Sequence, residues 1–506
     1  MVDYLPVSYL AGIRVTYAGL ISLSIRLSSI ITGLIFTLIV TRQLTQDEFG
    51  TWGLINGLFV YAVAVHPIIT YWATREVARG ENSGRMVFLS SSGFSIIGLG
   101  IYLVLAFFVS LESNVNFDIM IYSAFLIPVM FIKDSLTAIN LGHRPQSVSY
   151  GFLAFELTKI PLGFIFVYFL DLGLEGAILA TFGSYLPSIG VMAYHAREKL
   201  NGKITKEYAK KWVKLFWIPT FRNIPSLLSM SDVIVFSVIT GSVSGVAYYT
   251  AARTIGFLVN HTRAFSEALY PKLLQTGQKD FLSNNLIKLF YFSFPLISLS
   301  IVLARPALFA LNPIYVVGEY IVIILSIRAF LTTLGKILFQ ALQGIETVDS
   351  DKNSTFRDYS KSKLILYPTF QLIRNGVYFG SLAIILYLLH DQKTEIELVI
   401  YWALVGLIIE IPLIIYIIRL VRSNFTLNLD WLSLFKYLLS SIIIFGLIYF
   451  LVSTFLEYTE SIFVFLPQLL TFTALGVGGY VLLTCAIDKK TKILCKAIIN
   501  ELMSKK

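Results

Sequence analysis

Charged side chains stand inside the long apolar stretches of this 506-residue sequence, and they are its best candidates for chemistry. Nine of the 40 basic residues lie there: Arg26, Lys133, Lys159, Arg222, Arg253, Arg263, Arg328, Lys336 and Arg374. The acidic residues in the same stretches are fewer: Asp134, Glu156, Asp232, Glu267 and Glu410. Positive charge therefore prevails within the apolar part of the chain, which favours an anionic ligand over a cationic one.

Arginine in a membrane span needs a physical reason. At the centre of a spanning helix it costs roughly 2.5–3.5 kcal/mol, so it is expected to face protein or a water-filled cavity. Its planar guanidinium binds a phosphate or a carboxylate through two parallel hydrogen bonds. Arg26, Arg222 and Arg253 have no acidic partner at helical spacing and are the first candidates for an anion site.

A structural role is the alternative for several of these charges. Three close pairs can neutralise each other or reach towards the membrane surface: Glu156 with Lys159, Lys133 with Asp134, and Arg263 with Glu267. Arg328 and Arg374 are further candidates for the anion site, although Glu410 could neutralise one of them from another helix.

Prolines mark two places where a spanning helix is expected to bend. Pro219 and Pro225 flank Arg222, and a proline inside a helix removes a backbone hydrogen bond. Interrupted helices often form transporter sites, but membrane helices also tolerate proline for structural reasons. His66-Pro67 predicts a second kink, and a proton-coupling role for His66 is a further hypothesis.

Two carboxylates complete the set of candidate site residues. Asp232 could bind a coupling cation or pair with a nearby arginine, and Glu410 is the other candidate for ion coupling. No Walker loop, zinc-ligand spacing or nucleophile elbow occurs in the sequence. We therefore expect no metal, no cofactor and no catalytic residue.

The composition shows what must position these side chains. The chain is 56% hydrophobic and 14% charged, with a mean hydropathy of +0.75, whereas a soluble protein carries about 25% charged residues. A helix crosses a membrane with about 20 apolar residues. Fourteen spans are predicted, at 16–40, 51–74, 87–110, 119–141, 147–170, 174–195, 213–239, 245–271, 284–304, 319–345, 364–389, 397–419, 432–455 and 461–486.

Basic residues in the loops predict the orientation. Twenty-eight fall in loops that we assign to the cytoplasm, and three fall in the opposite loops: Arg42, Arg305 and Lys393. The alternation holds to the end of the chain, so both termini are predicted to be cytoplasmic in a multi-pass protein of the cell membrane. The same loops explain most of the net charge of +10, so no nucleic-acid partner is expected.

The longest basic loop predicts a division of the chain. We expect an N-terminal lobe at 1–196 with spans 1–6, a basic cytoplasmic linker at 197–212, and a C-terminal lobe at 213–421 with spans 7–12. Residues 422–506 would add spans 13 and 14 and a basic cytoplasmic tail. The predicted fold class is thus an all-α integral membrane protein of two six-helix lobes, related by a pseudo-two-fold axis, plus two C-terminal helices.

Several motifs resemble one family of exporters. "LTQDEFGTWGLI" follows span 1 and "TREVARG" follows span 2, while "SDVIVFSVITGSVSGVAYYTAA" and "ALYPKL" lie around span 8 and "DLGLEGAILATFGSYL" leads into span 6. In order and spacing these motifs are similar to the polysaccharide (O-antigen-type) flippase branch of the multidrug/oligosaccharidyl-lipid/polysaccharide (MOP) exporter superfamily. The resemblance covers the whole chain. It implies alternating access between two lobes around a central cavity, bordered by the helices that carry Arg26, Arg222 and Arg253.

The sequence therefore predicts a flippase and not an enzyme. It would move a lipid-linked oligosaccharide, carried on a polyprenyl phosphate or pyrophosphate, from the cytoplasmic to the outer leaflet through a cationic central cavity. Membrane lipids and a coupling proton or sodium ion are the other expected partners.

Two other functions remain open at this stage. One is a multidrug or cation exporter of the same superfamily, against which the excess of basic residues in the spans argues. The other is a membrane glycosyltransferase, which would need a metal-binding acidic motif. The one D-x-D triplet, at residues 349–351, lies in a short loop that we assign to the cytoplasm.

Overall fold

The structure is a computed structural model of the chain. It describes residues 32–202, 204, 206–214, 216–266, 273, 280–346, 362–489 and 491–492. Within these residues the chain is helical and contains no strand. Among the described residues, eleven helices are long and apolar enough to cross a membrane, or twelve if one bent pair counts as a single span. The all-α membrane fold is confirmed, and the total of fourteen spans stays a prediction.

The chain divides into two compact units, Met1–Ala247 and Tyr248–Lys506. The described helices of the first unit are α1 (32–43), α2 (Gln46–Ala62), α3 (Pro67–Ala78), α4 (Gly84–Ser113), α5 (Phe117–Ala124), α6 (Leu126–His143), α7 (Pro145–Gly163), α8 (Gly173–Leu200), α9 (Lys206–Lys214) and α10 (Trp217–Thr240). Helix α10 packs against α2, α3 and α4, which explains why it belongs to this unit. The lobe and linker boundaries proposed above stay a prediction.

The second unit begins within α11 (Ser244–Gly256), which continues as a 3₁₀ stretch over Phe257–Ser266. Its other described helices are α12 (Asp280–Val302), α13 (Ala304–Leu311), α14 (Glu319–Gly344), α15 (Lys363–Leu389), α16 (Glu395–Asn424), α17 (Trp431–Phe455) and α18 (Ile462–Ile487). Helix α16 packs against both α14 and α15, and α17 joins α12 to α18. Helices α14, α15 and α16, which carry Arg328, Arg374 and Glu410 respectively, are thus direct neighbours.

The same device starts a helix in each unit. Thr45 precedes α2, and its side chain caps the Glu48 backbone N–H while the Glu48 carboxylate accepts from the Thr45 backbone. Thr394 and Glu397 form the same capping box at the start of α16. Each box satisfies two backbone donors that a helix otherwise leaves unpaired at its N-terminus.

Both predicted kinks are present. The chain passes from α2 into a 3₁₀ turn at Val63–Val65 before Pro67 begins α3. In α10, the segments Pro219–Pro225 and Leu227–Thr240 are bent by 43° relative to each other. Proline supplies no backbone N–H, so the hydrogen-bond ladder of the helix is interrupted at each place.

Small residues let the helices of the first unit approach closely. A Cβ atom at Gly98 on α4 would lie 2.6 Å from the Ala62 carbonyl oxygen and 2.8 Å from the Phe131 ring. Gly100, two residues further along α4, has nothing within 4 Å of the same position. Close approach at small residues is how helices pack in a membrane, where no hydrophobic force drives them together.

We expect Gly98→Ala to lower the free energy of unfolding by about 1–3 kcal/mol, because the added methyl group overpacks the junction of three helices. Thermal unfolding of the purified protein in detergent would measure the change. Gly100→Ala is the matched control, since it adds the same methyl group where nothing is close. Equal unfolding temperatures for the two variants would contradict the packing described here.

Candidate functional site

The predicted site residues lie in different surroundings. Arg26 falls outside the described residues, and Arg222 lies on α10 with its side chain outside the description. Asp232, also on α10, is buried, and its carboxylate accepts a hydrogen bond from the Val233 backbone N–H at 3.0 Å. His66 is buried at the kink between α2 and α3. The remaining four lie in the second unit.

Arg374 and Glu410 form a direct ion pair across two helices. The guanidinium Nη1 lies 2.9 Å from the Glu410 carboxylate, and both side chains are largely buried. The Arg374 side chain also donates to the Asn375 side-chain oxygen from two nitrogens, at 3.0 and 2.6 Å. The sequence left open whether Glu410 neutralises Arg328 or Arg374, and the structure shows that it pairs with Arg374.

Arg328 is held by aromatic side chains, in a set of four residues that we call the arginine cage. Its guanidinium lies 4.8 Å from the centre of the Tyr378 ring and donates a hydrogen bond to the Tyr249 hydroxyl at 3.2 Å. Tyr249 stacks on Trp402 with ring centres 3.7 Å apart, and Trp402 donates from its indole N–H to the Tyr378 hydroxyl at 2.9 Å. These four contacts link Arg328, Tyr249, Trp402 and Tyr378 into a closed circuit.

Sequence spacing on α15 and α16 makes the cage and the ion pair neighbours. Trp402, Gly406 and Glu410 follow each other at intervals of four and lie on one face of α16. A Cβ atom at Gly406 would collide with the Arg328 guanidinium, so glycine makes the room for this arginine. Arg374 and Tyr378 are likewise four residues apart on α15. Of the unpredicted members, Tyr378 and Trp402 carried a detectable signal only in this helical spacing, and Tyr249 on α11 carried none.

A group of four cations and one carboxylate lies close by, and we call it the cationic cluster: Arg253, Arg263, Lys336, Arg374 and Glu410. The Lys336 ammonium experiences the charges of all the other four members. Within the part of the chain that the structure describes, Arg374 is the only cation of the cluster with an ion pair to a carboxylate. Arg253 lies over the Phe257 ring at 4.9 Å. The cluster therefore holds positive charge that a bound anion could neutralise.

A separate cavity at one end of the first unit is acidic. Its volume is about 640 Å³, and Asp47, Glu48, Asp118 and Glu175 contribute to its wall. These residues lie at the ends of spans that the charge pattern assigns to the outer side. Within the described residues, no group of three or more histidine, cysteine or acidic side chains is arranged to hold a metal ion.

Comparisons with known proteins define the fold. No protein-family model and no curated protein sequence matches the chain. Among solved structures, "Lipid II flippase MurJ, inward closed conformation" is similar with a TM-score of 0.63 and 14% identity, over 92% of this chain and 98% of that one. An inward-facing "multidrug resistance MATE family transporter of the MOP superfamily" is similar at 0.58 and 14%, over 80% and 98%.

A third structure, "MATE in complex with MaL6", is similar with a TM-score of 0.52 and 14% identity, over 81% of this chain and 96% of that one. Together these likenesses show that the chain shares the fold of these flippase and MATE structures, one of which is described as a member of the MOP superfamily. The fold that the motif resemblance predicted is thus confirmed, while the polysaccharide branch stays a prediction.

We expect Glu410→Gln to lower the free energy of unfolding by about 3–5 kcal/mol, because it leaves the buried Arg374 charge without its counter-ion. The double variant Arg374→Gln/Glu410→Gln removes both charges and should recover most of the loss. Thermal unfolding of the four proteins of this double-mutant cycle measures the coupling. A double variant no more stable than Glu410→Gln would show that the pair is not what stabilises this part of the second unit.

Proposed function

We propose that the protein is a flippase that moves a lipid-linked oligosaccharide from the cytoplasmic to the outer leaflet by alternating access. The observation that carries this proposal is the cationic cluster, in which Arg253 and Lys336 have no ion pair within the described residues. Glu267, the predicted partner of Arg263, lies outside the described residues. A lipid phosphate or pyrophosphate is the anion that a membrane-embedded cluster of this charge fits best. The fold, shared with a lipid II flippase, is consistent with such a substrate.

The candidate residues take different roles in this proposal. Arg253 and Lys336 bind the phosphate group directly, and Arg374 joins them when the anion competes with Glu410. The charge of Arg328 is already covered by Tyr249 and Tyr378, so this residue does not bind the phosphate. Its role is to hold together the arginine cage, which supports the cluster. Glu410 acts as a counter-ion to Arg374 and not as a site of ion coupling.

Arg26 and Arg222 extend the same binding role to predicted spans 1 and 7, and Asp232 remains a proposed site for a coupling cation. These assignments rest on the sequence and on the depth of each residue in its span.

Loose binding is a requirement of transport, since a substrate held too firmly is not released. Glu410 lies among the cations of the cluster and lowers the net positive charge that a bound phosphate would meet, which weakens its binding. On the outer side, the acidic cavity wall formed by Asp47, Glu48, Asp118 and Glu175 would repel a phosphate group. This asymmetry favours capture inside the membrane and release outward.

A multidrug or cation exporter is the alternative with the same fold. A site for organic cations should present carboxylates within the spans to attract positive charge. In the predicted spans of the second unit, the described charges are instead mainly basic, and the buried carboxylate Glu410 is occupied by Arg374. This observation favours the anionic substrate.

We expect the variant Arg253→Gln/Lys336→Gln to bind undecaprenyl pyrophosphate at least about tenfold more weakly than the unchanged protein. A hydrogen bond to a charged group contributes about 1.5–3 kcal/mol, and 1.4 kcal/mol corresponds to a tenfold change in affinity. Binding to the purified protein in detergent, measured by calorimetry, provides the comparison. Undecaprenol, which lacks the phosphates, should bind the two proteins equally.

The control variant is Arg79→Gln/Arg85→Gln, which removes two exposed cations at the adjoining ends of α3 and α4 and should leave the affinity unchanged. Unaltered pyrophosphate affinity in the cluster variant would disprove the role of the cluster. Extrusion of cationic drugs by the unchanged protein in vesicles, without any movement of the lipid, would establish the exporter instead.

A further inference from the structure

A small cavity lies among α2, α6 and α8 of the first unit, with a volume of about 130 Å³. Each of the three helices contributes two residues at a spacing of four, which places the two on one face of their helix. These residues define what we call the aromatic pocket: Trp52 and Asn56 on α2, Leu126 and Met130 on α6, and Thr181 and Tyr185 on α8. Helix α8 packs against both α2 and α6, so the three faces meet within one unit.

Three polar groups of the aromatic pocket are available to a ligand. In the part of the chain that the structure describes, the Trp52 indole N–H and the Tyr185 hydroxyl make no hydrogen bond. The Asn56 amide nitrogen donates to the Trp52 carbonyl at 2.7 Å, which leaves the amide oxygen as an acceptor. Asn56 is exposed although it lies inside the predicted span 51–74. An unpaired polar group is costly in hydrocarbon, so the pocket must hold water or a polar ligand.

The aromatic rings of the pocket are held in place from behind. The Tyr185 ring packs on Phe155 of α7, with ring centres 4.9 Å apart. Phe59, which also lines the pocket, packs on the buried Tyr102 at 5.3 Å. Rings that are fixed before a ligand arrives lose little conformational entropy on binding. They offer a preformed apolar surface beside the free polar groups.

A larger cavity adjoins the aromatic pocket, since Val60 and Val63 line both. Its volume is about 430 Å³, which lies in the range of small-molecule sites. Asp134 and Thr137 line it and continue, along α6, the row of α6 residues that begins in the aromatic pocket. The two cavities therefore form one continuous site, aromatic in one part and polar in the other.

The charge of this site is balanced. Among the lining residues that the structure describes, Asp134 is the one carboxylate, and none is a lysine or an arginine. The Lys133 ammonium lies 2.7 Å from the Asp134 carboxylate, as the sequence predicted for this pair. Both side chains remain about one third exposed, at 34% and 35%, so Asp134 can still accept from a ligand. A neutral ligand with hydroxyl groups fits such a site better than a phosphate or an organic cation does.

We propose that the aromatic pocket and the adjoining cavity form a saccharide-binding site of the first unit. A pyranose ring has an apolar C–H face, which packs on the rings of Trp52 and Tyr185, and a rim of hydroxyl groups that both donate and accept. The Asn56 amide oxygen and the Asp134 carboxylate accept from these hydroxyls, and the Trp52 N–H donates to one. The assignment rests on the proposed function in one respect, which is that the saccharide is the glycan of the transported lipid.

Saturation-transfer NMR of the full-length protein in lipid nanodiscs tests the proposal. The probes are three free sugars, the methyl pyranosides of glucose, galactose and N-acetylglucosamine. We expect saturation of the ring C–H protons of at least one of them, because these protons lie against the aromatic rings. In Trp52→Leu/Tyr185→Leu the affinity for this sugar should fall at least about tenfold. Tyr185→Phe keeps the ring on Phe155, removes only the hydroxyl, and should weaken binding about 2–10-fold. It provides the second test if the double variant does not fold.

Two control variants should bind the sugar as the unchanged protein does. Trp431→Leu removes a tryptophan that is 68% exposed at the start of α17. Arg253→Gln/Lys336→Gln removes the cations that are proposed to bind the lipid phosphate.

No saturation transfer to any of the three sugars would overturn the proposal. Unchanged affinity in both Trp52→Leu/Tyr185→Leu and Tyr185→Phe would also overturn it. Because neither lipid nor phosphate is added, failure of the flippase proposal would leave the sugar titration unaffected.

Discussion

The structure depends on one constraint, which is the cost of keeping a positive charge inside hydrocarbon. The membrane offers no water to solvate a guanidinium or an ammonium, so each buried cation must find its solvation within the protein. Two different solutions occur in the second unit. Arg374 is neutralised by a carboxylate, whereas Arg328 is covered by the face of the Tyr378 ring and by the Tyr249 hydroxyl.

The two solutions have different consequences for binding. A guanidinium paired with a carboxylate can exchange that partner for a phosphate, because both anions present the same two acceptor oxygens. The cage offers no such exchange, since the faces of Tyr378 and the stacked pair Tyr249–Trp402 are fixed by one another. Arg253 lies over one aromatic ring, that of Phe257, and neither Arg253 nor Lys336 has an ion pair within the described residues. Under the proposed function, this difference in solvation separates supporting residues from binding residues.

Much of this arrangement could be predicted from the sequence, because local rules decide it. The length of the apolar stretches predicted the spanning helices, and the missing backbone N–H of proline predicted the kinks at Pro67 and Pro225. Pairing of Glu410 with one of two arginines was also predicted, since few carboxylates are available in the spans. The choice of Arg374 over Arg328 was not predictable, because it depends on which helices pack against α16.

Contacts between residues far apart in sequence were beyond such rules. Tyr249 and Trp402 are separated by 153 positions and meet only because α11 and α16 are brought together in the second unit. Similarly, the sequence predicts the kink at His66-Pro67, but the position of His66 opposite Asp134 depends on how α6 packs against α3. The two units thus hold their polar groups by different means. In the first, a neutral imidazole faces a carboxylate that a neighbouring lysine already balances. In the second, cations outnumber carboxylates.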